Sequence, residues 1–320
     1  MSTYYQIFGG KINVVSSDPS NIIRGQVWYN STTGSLKYAQ TLLTAGWATG
    51  GNLPANRSYL AGCGIQTGAL EFGGFTATFS ASNSTAEYDG SAWTAGGNLG
   101  TARYGLAGAG TQTLGLAFGG AIPGTPQTAT EEYDGSAWTA GGSLATARRE
   151  LAGAGTQTLG LAFGGNSSPS AVTEEYDGSV WTAGGNLGTG RNSLAGAGTQ
   201  TAGLAFGGSG ASVLTEEYDG SAWTAGGNLA TGRSALAGAG TQTLGLAFGG
   251  TPFTVLLNST EEYNGTSWTA GGNLATARRS LAGAGTQTAG LAFGGGPSSI
   301  IATEEYFPAG TIVARTVTLT

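Results

Sequence analysis

Residues Thr130–Gly165 read TEEYDGSAWTAGGSLATARRELAGAGTQTLGLAFGG, and almost everything between residues 40 and 306 is a copy of this stretch. The same 36-residue frame returns at Thr85–Gly120, Thr173–Gly208, Thr215–Gly250 and Thr260–Gly295. A partial copy runs from Trp47 to Gly74 with the same 28-residue spacing from tryptophan to glycine, and Thr303–Tyr306 starts the frame once more. Frames that begin 42 to 45 residues apart describe an array or ring of small units, none able to bury its apolar face alone.

Turn chemistry divides each frame. Asp134-Gly135 and Asp177-Gly178 are tight-hairpin signals, and the Gly-Thr-Gln-Thr and Gly-Gly runs mark the other breaks. Between them lie four short strands, lettered here from the residue after the repeated arginine: A (SLAGAG), B (LGLAFGG), C (TEEY) and D (AWTAGG). In B, Leu114, Leu116 and Phe118 alternate with Gly115, Ala117 and Gly119, the period-two pattern of a strand whose faces differ. Four antiparallel strands per unit, repeated radially, predict an all-β propeller.

The order Gly119-Gly120, Glu131-x-Tyr133-Asp134, Trp138 resembles the kelch repeat, over residues 41–306. That resemblance implies a kelch-like β-propeller with a binding surface and leaves the partner open. Six A, six B and six C strands are present, and TAGWATGGNL around Trp47 supplies the sixth D strand. The expected fold is therefore a six-bladed propeller whose last blade is completed by residues 43–48. In the alternative, residues 4–48 form a divergent seventh blade with Thr311–Thr318 as its last strand.

The segments outside the frame are 1–40, expected to be an N-terminal β-hairpin and attachment segment, and 307–320, expected to be a C-terminal β tail. Within the first, Gly25–Tyr38 (GQVWYNSTTGSLKY) reads as strands Gln26–Asn30 and Ser35–Tyr38 around a Ser-Thr-Thr-Gly turn. It resembles the small hairpin near the start of tail-fibre and other virion proteins of tailed bacteriophages, especially marine ones. The resemblance implies a virion protein made in the host cytoplasm without a cleaved signal. The hairpin would contact other virion proteins, and the C-terminal TIVARTVTLT would add a strand to its own ring or to a neighbour; homo-oligomers fit the same picture.

Composition narrows the function. The 61 glycines recur at fixed frame positions, which points to large residues packed against Gly and Ala of the next unit rather than to disorder. A net charge of −6, with six of twelve basic residues at one frame position (Arg57, Arg103, Arg148, Arg191, Arg233, Arg278), argues against a nucleic-acid partner. No apolar run is long enough to insert in a membrane. The absence of histidine removes Ser-His-Asp hydrolysis and His-ligated metals. Cys63 stands where other frames carry alanine and reads as a packed small residue.

The paired glutamates (Glu131-Glu132 and their copies) point to opposite faces of a strand, so they read as structural partners of the repeated arginine. Tyr-Asp-Gly reads as turn chemistry, since Asn264 replaces the aspartate in one copy. Strand A, lining the channel, is expected to offer no titratable group. No cofactor and no metal are expected, and the chain reads as a non-enzyme; a two-carboxylate glycosidase would have to use loop carboxylates such as Glu71 and Glu150.

Variation among the copies is confined. The B–C loops FTATFSASNS, AIPGTPQTA, NSSPSAV, SGASVL, TPFTVLLNS and GPSSIIA differ in length, as do the two residues after each arginine in identity. Both map to one rim of an up-and-down blade, so one face is diverse and one nearly uniform. The candidate ligand-binding residues on the diverse face are Tyr59, Phe75, Phe79, Tyr104, Ile122, Arg149, Glu150, Asn192, Phe253, Leu256, Arg279 and Ile300. The favoured expectation is a tail-fibre or receptor-binding propeller that recognises a host-surface glycan or protein. The alternatives are a purely structural virion decoration, collar or tail subunit, and a cellular kelch-type scaffold or lectin.

Overall fold

A computed structural model describes residues 4–7, 10–19, 22, 24–41, 45–166, 170–297, 299–309 and 312–316. Among them there is no helix; six antiparallel sheets of the repeat frame follow one another in series, a propeller-like arrangement. The first unit pairs Ala61–Ile65, Gly68–Phe72, Thr85–Tyr88 and Trp93–Ala95 in that order. The third repeats the pattern with Ala152–Gly155, Gly160–Phe163, Thr173–Tyr176 and Trp181–Ala183. The second unit lengthens A and B to Tyr104–Gly110 and Gly115–Ile122 and adds a short hairpin strand, Thr125–Pro126.

The sixth sheet joins distant parts of the chain. Ala282–Gly285, Gly290–Phe293 and Thr303–Phe307 are followed by Gly46–Thr49, which places Trp47 opposite Tyr306. Trp47 is buried and donates from Nε1 to Thr260 Oγ1 of the fifth unit at 2.9 Å. Every other D-strand tryptophan makes the same bond to the preceding unit, as in Trp138 to Thr85 and Trp181 to Thr130.

Glycine and large residues do interlock between units. A Cβ on Gly108 would lie 2.6 Å from Phe72 Cζ of the preceding unit, and one on Gly153 would lie 2.6 Å from Phe118 Cζ. Strand B is buried on both faces because it is sandwiched this way, so its apolar residues do not alternate with exposed ones. Leu114, expected inside strand B, instead precedes it and is exposed in the A–B turn. Cys63 is buried, burial pushes its thiol up to about 12, and Sγ lies 3.4 Å from Thr111 O.

The repeated carboxylates are structural. The first glutamate pairs with the arginine of its own unit: Arg103 Nη2 donates to Glu131 Oε1 at 2.8 Å, while Nη1 donates to Gly119 O and Ala129 O. The first unit achieves this differently. Ala86 replaces the glutamate, and its cross-strand neighbour Glu71 takes over, 3.6 Å from Arg57 Nε. Glu71 is thus a buried strand residue rather than the loop carboxylate expected from sequence, and burial pushes it up to about 8 against the opposing charge of Arg57.

The second glutamate accepts a hydrogen bond from the next unit's C-strand tyrosine, as in Tyr133 to Glu87 at 2.5 Å and Tyr176 to Glu132 at 2.6 Å. Tyr218, Tyr263, Tyr306 and Tyr88 do the same with Glu175, Glu217, Glu262 and Glu305. Burial first, and these bonds second, push Tyr133, Tyr176, Tyr218 and Tyr263 up to about 12, and raise Tyr88 and Tyr306 as well. A raised acid favours the neutral phenol in the folded chain, so this stabilisation is complete below about pH 10 and is lost as pH rises through about 12. Ultraviolet titration with parallel circular dichroism should show these six phenols ionising together with loss of the sheets. Ionisation near pH 10 with the sheets intact would contradict the interlocking assigned to them.

The terminal segments form a separate five-stranded sheet in the order Tyr4–Ile7, Gly10–Val15, Val27–Asn30, Ser35–Thr41, Ile312–Thr316. Its middle hairpin has the expected turn, with Val27 opposite Tyr38. Asp18 accepts from Trp28 Nε1, Asn30 Nδ2 and Lys37 Nζ at 3.0, 2.8 and 2.5 Å, which ties the preceding loop to that hairpin. Among the described residues the C-terminal strand pairs with this hairpin and with no strand of the repeat units. Four strands between Tyr4 and Thr41 and the strand Ile312–Thr316 therefore do share a sheet, as the seven-unit alternative requires, but that sheet contains a parallel pair and Gly46–Thr49 lies outside it. Residues 317–320, the end of the expected tail, lie outside the described residues.

Candidate functional site

The residues that vary among the copies come together where the inner strands begin. In five units the pair after the arginine precedes strand A rather than lying inside it; only in the second does the strand start at Tyr104. The second residue of each pair is left-handed: Tyr59, Gly105, Glu150, Ser193, Ala235 and Ser280 have φ between 51° and 59°. Five of them carry a Cβ, a conformation that costs of order 1–3 kcal/mol unless the surroundings enforce it.

Hydrogen bonds between units do so. Gly105 N–H donates to Tyr59 O, Glu150 to Gly105, Ser193 to Glu150, Ala235 to Ser193, Ser280 to Ala235 and Tyr59 to Ser280, at 2.6–2.8 Å. With one leucine from each unit, from Leu60 to Leu281, these residues line a cavity of about 110 Å³. The cavity wall thus includes one carboxylate residue, Glu150, which precedes strand A and is among the residues expected on the variable face. Glu150 occupies the position that most copies give to a smaller residue, and its carboxylate accepts from Ser193, the next residue along the cavity wall.

Beside the cavity lies an aromatic cluster from the first two units. Phe75 and Tyr104 stack with ring centroids 3.8 Å apart and planes 22° apart. Tyr59 meets them edge-on at 5.9 and 6.5 Å, and Phe79, 71% exposed, meets Phe75 at 6.4 Å. Arg149 extends the cluster into the third unit, donating from Nη1 to Tyr104 Oη at 2.8 Å. Its Nε lies 3.9 Å from Glu150 Oε1, and Ser193 Oγ donates to Glu150 Oε2 at 2.7 Å. Asn192 Nδ2 donates to Asn166 O at 2.5 Å.

Six predicted residues (Tyr59, Phe75, Phe79, Tyr104, Arg149, Glu150) thus form one contiguous group. Ile300 lies next to it: Arg57 N–H donates to Ile300 O, and the neighbouring Ser299 Oγ bonds Ser58 Oγ at 2.9 Å. Arg279 is half-buried and its carbonyl accepts from Gly296 N–H. Ile122, expected on the second B–C loop, instead ends the lengthened strand B and pairs with Thr125, while Phe253, at 75% exposure, and Leu256 stand on the fifth loop. No ring contact or side-chain hydrogen bond among the described residues joins those three to the group.

Sequence reasoning missed Ser193 and Ser280 as lining residues. The available signal was their place as second member of a variable pair; nothing in Tyr, Glu, Ser or Ala announces a left-handed backbone.

Among the described residues no three His, Cys, Asp or Glu side chains gather in a metal-binding group. The Asp-Gly aspartates are occupied with their turns: Asp134 Oδ1 accepts from Ala137 N, Ser136 Oγ and Ser136 N, each at 2.8 Å, which holds the carboxyl below its usual range. Asn264 makes the same bonds, as its replacement of aspartate predicts.

No protein-family model matches this chain, and no curated protein matches it.

Proposed function

We propose that the chain is a six-bladed kelch-like β-propeller, closed by its own strand Gly46–Thr49, that binds a ligand without catalysis through the rim bearing the B–C loops. Six-fold closure is supported by the inter-unit hydrogen bonds, whose sequence from Tyr59 through Ser280 returns to Tyr59, and by the pairing of Trp47 with Tyr306. The observation that carries the functional reading is the confinement of variation. Loop length, the residues after the arginine, the aromatic cluster and the cavity all fall on one rim, while the A–B and C–D turns barely change. A rigid scaffold with a diversified loop face is how binding surfaces are built. The repeated carboxylates are committed to arginines and tyrosines, which favours binding over catalysis.

With the N-terminal hairpin's resemblance to phage proteins, this reading is of a virion component, tail-fibre-associated or receptor-binding, that engages a host-surface glycan or protein. Residues 1–40 and 307–320 would then attach it to other virion proteins. A purely structural virion role is favoured by one observation, the terminal sheet whose outermost strands are Tyr4–Ile7 and Ile312–Thr316, since an outer strand offers backbone groups to a neighbour.

Binding of the purified, fluorescently labelled protein to intact bacterial cells separates the two. A variant with all six B–C loops replaced by SGASVL should lose the strain-dependent binding of the parent. A parent that binds no strain, or a variant that binds equally well, would remove the receptor-binding reading.

A further inference from the structure

We infer that the cavity at the head of the inner strands is a saccharide site that receives the end of a neutral glycan chain. Glu150, Ser193 and Ser280 supply its hydrogen bonds and Tyr59, backed by Phe75, its stacking wall. This rests on the reading of the loop rim as the binding face and names the ligand class for it.

Two residues of the cavity wall have hydrogen-bonding capacity to spare. Ser280 lines it and is only 7% exposed, yet its Oγ is buried without a hydrogen-bond partner. A buried hydroxyl left this way is destabilising, and rotation of the side chain toward a ligand in the cavity would remove the penalty. Glu150 accepts from Ser193 Oγ alone at bonding distance, Arg149 Nε being 3.9 Å away. A carboxylate has about four acceptor sites, so most of its capacity is unused. Glu150 and Ser280 belong to the third and sixth units, opposite each other in a ring of six.

The charge pattern selects the ligand. Glu150 disfavours a carboxylate or phosphate, and Arg149 beside it disfavours an ammonium or metal cation. What remains is a neutral molecule with several hydroxyl donors. The leucines and Tyr59 present apolar surface to its C–H faces, as aromatic and aliphatic groups do for a pyranose ring. At about 110 Å³ the cavity is well below the roughly 300–1,000 Å³ of sites that enclose a drug-sized ligand. It therefore takes one ring from a chain end, with later residues passing over the exposed Phe79.

The test uses the full chain on a glycan array bearing neutral hexose-terminated, uronic-acid-terminated, sialylated and non-acetylated amino-sugar-terminated oligosaccharides, followed by calorimetry on the best binder. Retention should be confined to neutral termini. Glu150→Ala should weaken binding roughly tenfold or more, and Ser280→Ala should weaken it several-fold. Alanine already occupies this ring position at Ala235 with φ 53°, so neither variant should unfold, and Ser280→Ala, which removes an unpartnered buried hydroxyl, should melt at or above the parent's temperature. Val180→Ala, in an exposed C–D turn where other copies already carry alanine (Ala137, Ala222), should bind as the parent does. Retention of charged termini, no retention at all, or parental affinity in Glu150→Ala would overturn the inference. If Glu150→Ala and Ser280→Ala bind cells as the parent does while the loop-replaced variant does not, the rim binds elsewhere than in this cavity. If the parent binds no cells, the rim reading itself has failed.

Discussion

Deleting residues 1–49 should abolish the cooperative folded monomer. The sixth sheet would then end at Thr303–Phe307, leaving an unpaired strand and a vacancy where Trp47 packs against Phe248 and Tyr306, ring centroids 4.8 and 5.0 Å away. A buried tryptophan removes roughly 150–250 Å² from water, worth at most about 4–6 kcal/mol at about 25 cal/mol/Å² before ordering entropy. That approaches the whole stability of many domains, and the strand ladder is lost as well. The milder Trp47→Ala keeps the strand and should lower stability by about 3–5 kcal/mol in urea unfolding. A monomeric deletion variant melting in one transition close to the parent would show that Gly46–Thr49 is dispensable.

Arg148→Ala should be the most damaging single change away from that strand, at about 3–5 kcal/mol, because Glu174 is left charged and buried without its counter-ion. Arg148 is fully buried and also donates to Gly164 O at 2.9 Å and Val172 O at 2.8 Å. The double variant Arg148→Ala/Glu174→Ala removes the orphaned charge but still leaves those carbonyls unpaired. It should therefore be more stable than Arg148→Ala alone and less stable than the parent by roughly 1–3 kcal/mol. Urea unfolding of the four proteins gives the coupling. Additive losses from the two single variants would mean that the pair contributes nothing as a pair.

The repeat frame made the sheets legible because each strand is bounded by its own turn residues. Asp134-Gly135 sets the C–D hairpin, and Trp47, followed like Trp138 by one Ala and one Thr, Gly-Gly and a leucine two residues on, identified a D strand more than 250 residues from the C strand it joins. The glutamates were legible as structural because two adjacent strand residues cannot face one substrate. Three things were not. Glu71 looked like a loop carboxylate because the first unit exchanges glutamate and alanine across two strands, and only the register Glu71 to Ala86 reveals the exchange. The C-terminal strand was visible as a strand, but alternation of side chains specifies a face and not a partner, so its pairing with Ser35–Thr41 had no signal. The cavity was hidden because its walls come from six copies of one frame position and the leucine that follows each, all of which look like the start of a strand, and the left-handed backbone those six positions share has no sequence signal.

Hydrogen–deuterium exchange of the intact chain tests the proposed closure of the ring, on which the reading of the loop rim depends. The amides of Gly46–Thr49 should exchange as slowly as those of the equivalent strands Trp93–Ala95 and Trp181–Ala183, and all should become labile together when Trp47 is replaced by alanine. Rapid exchange of Gly46–Thr49 in the parent, with the other fourth strands still protected, would contradict a ring closed by the chain's own strand.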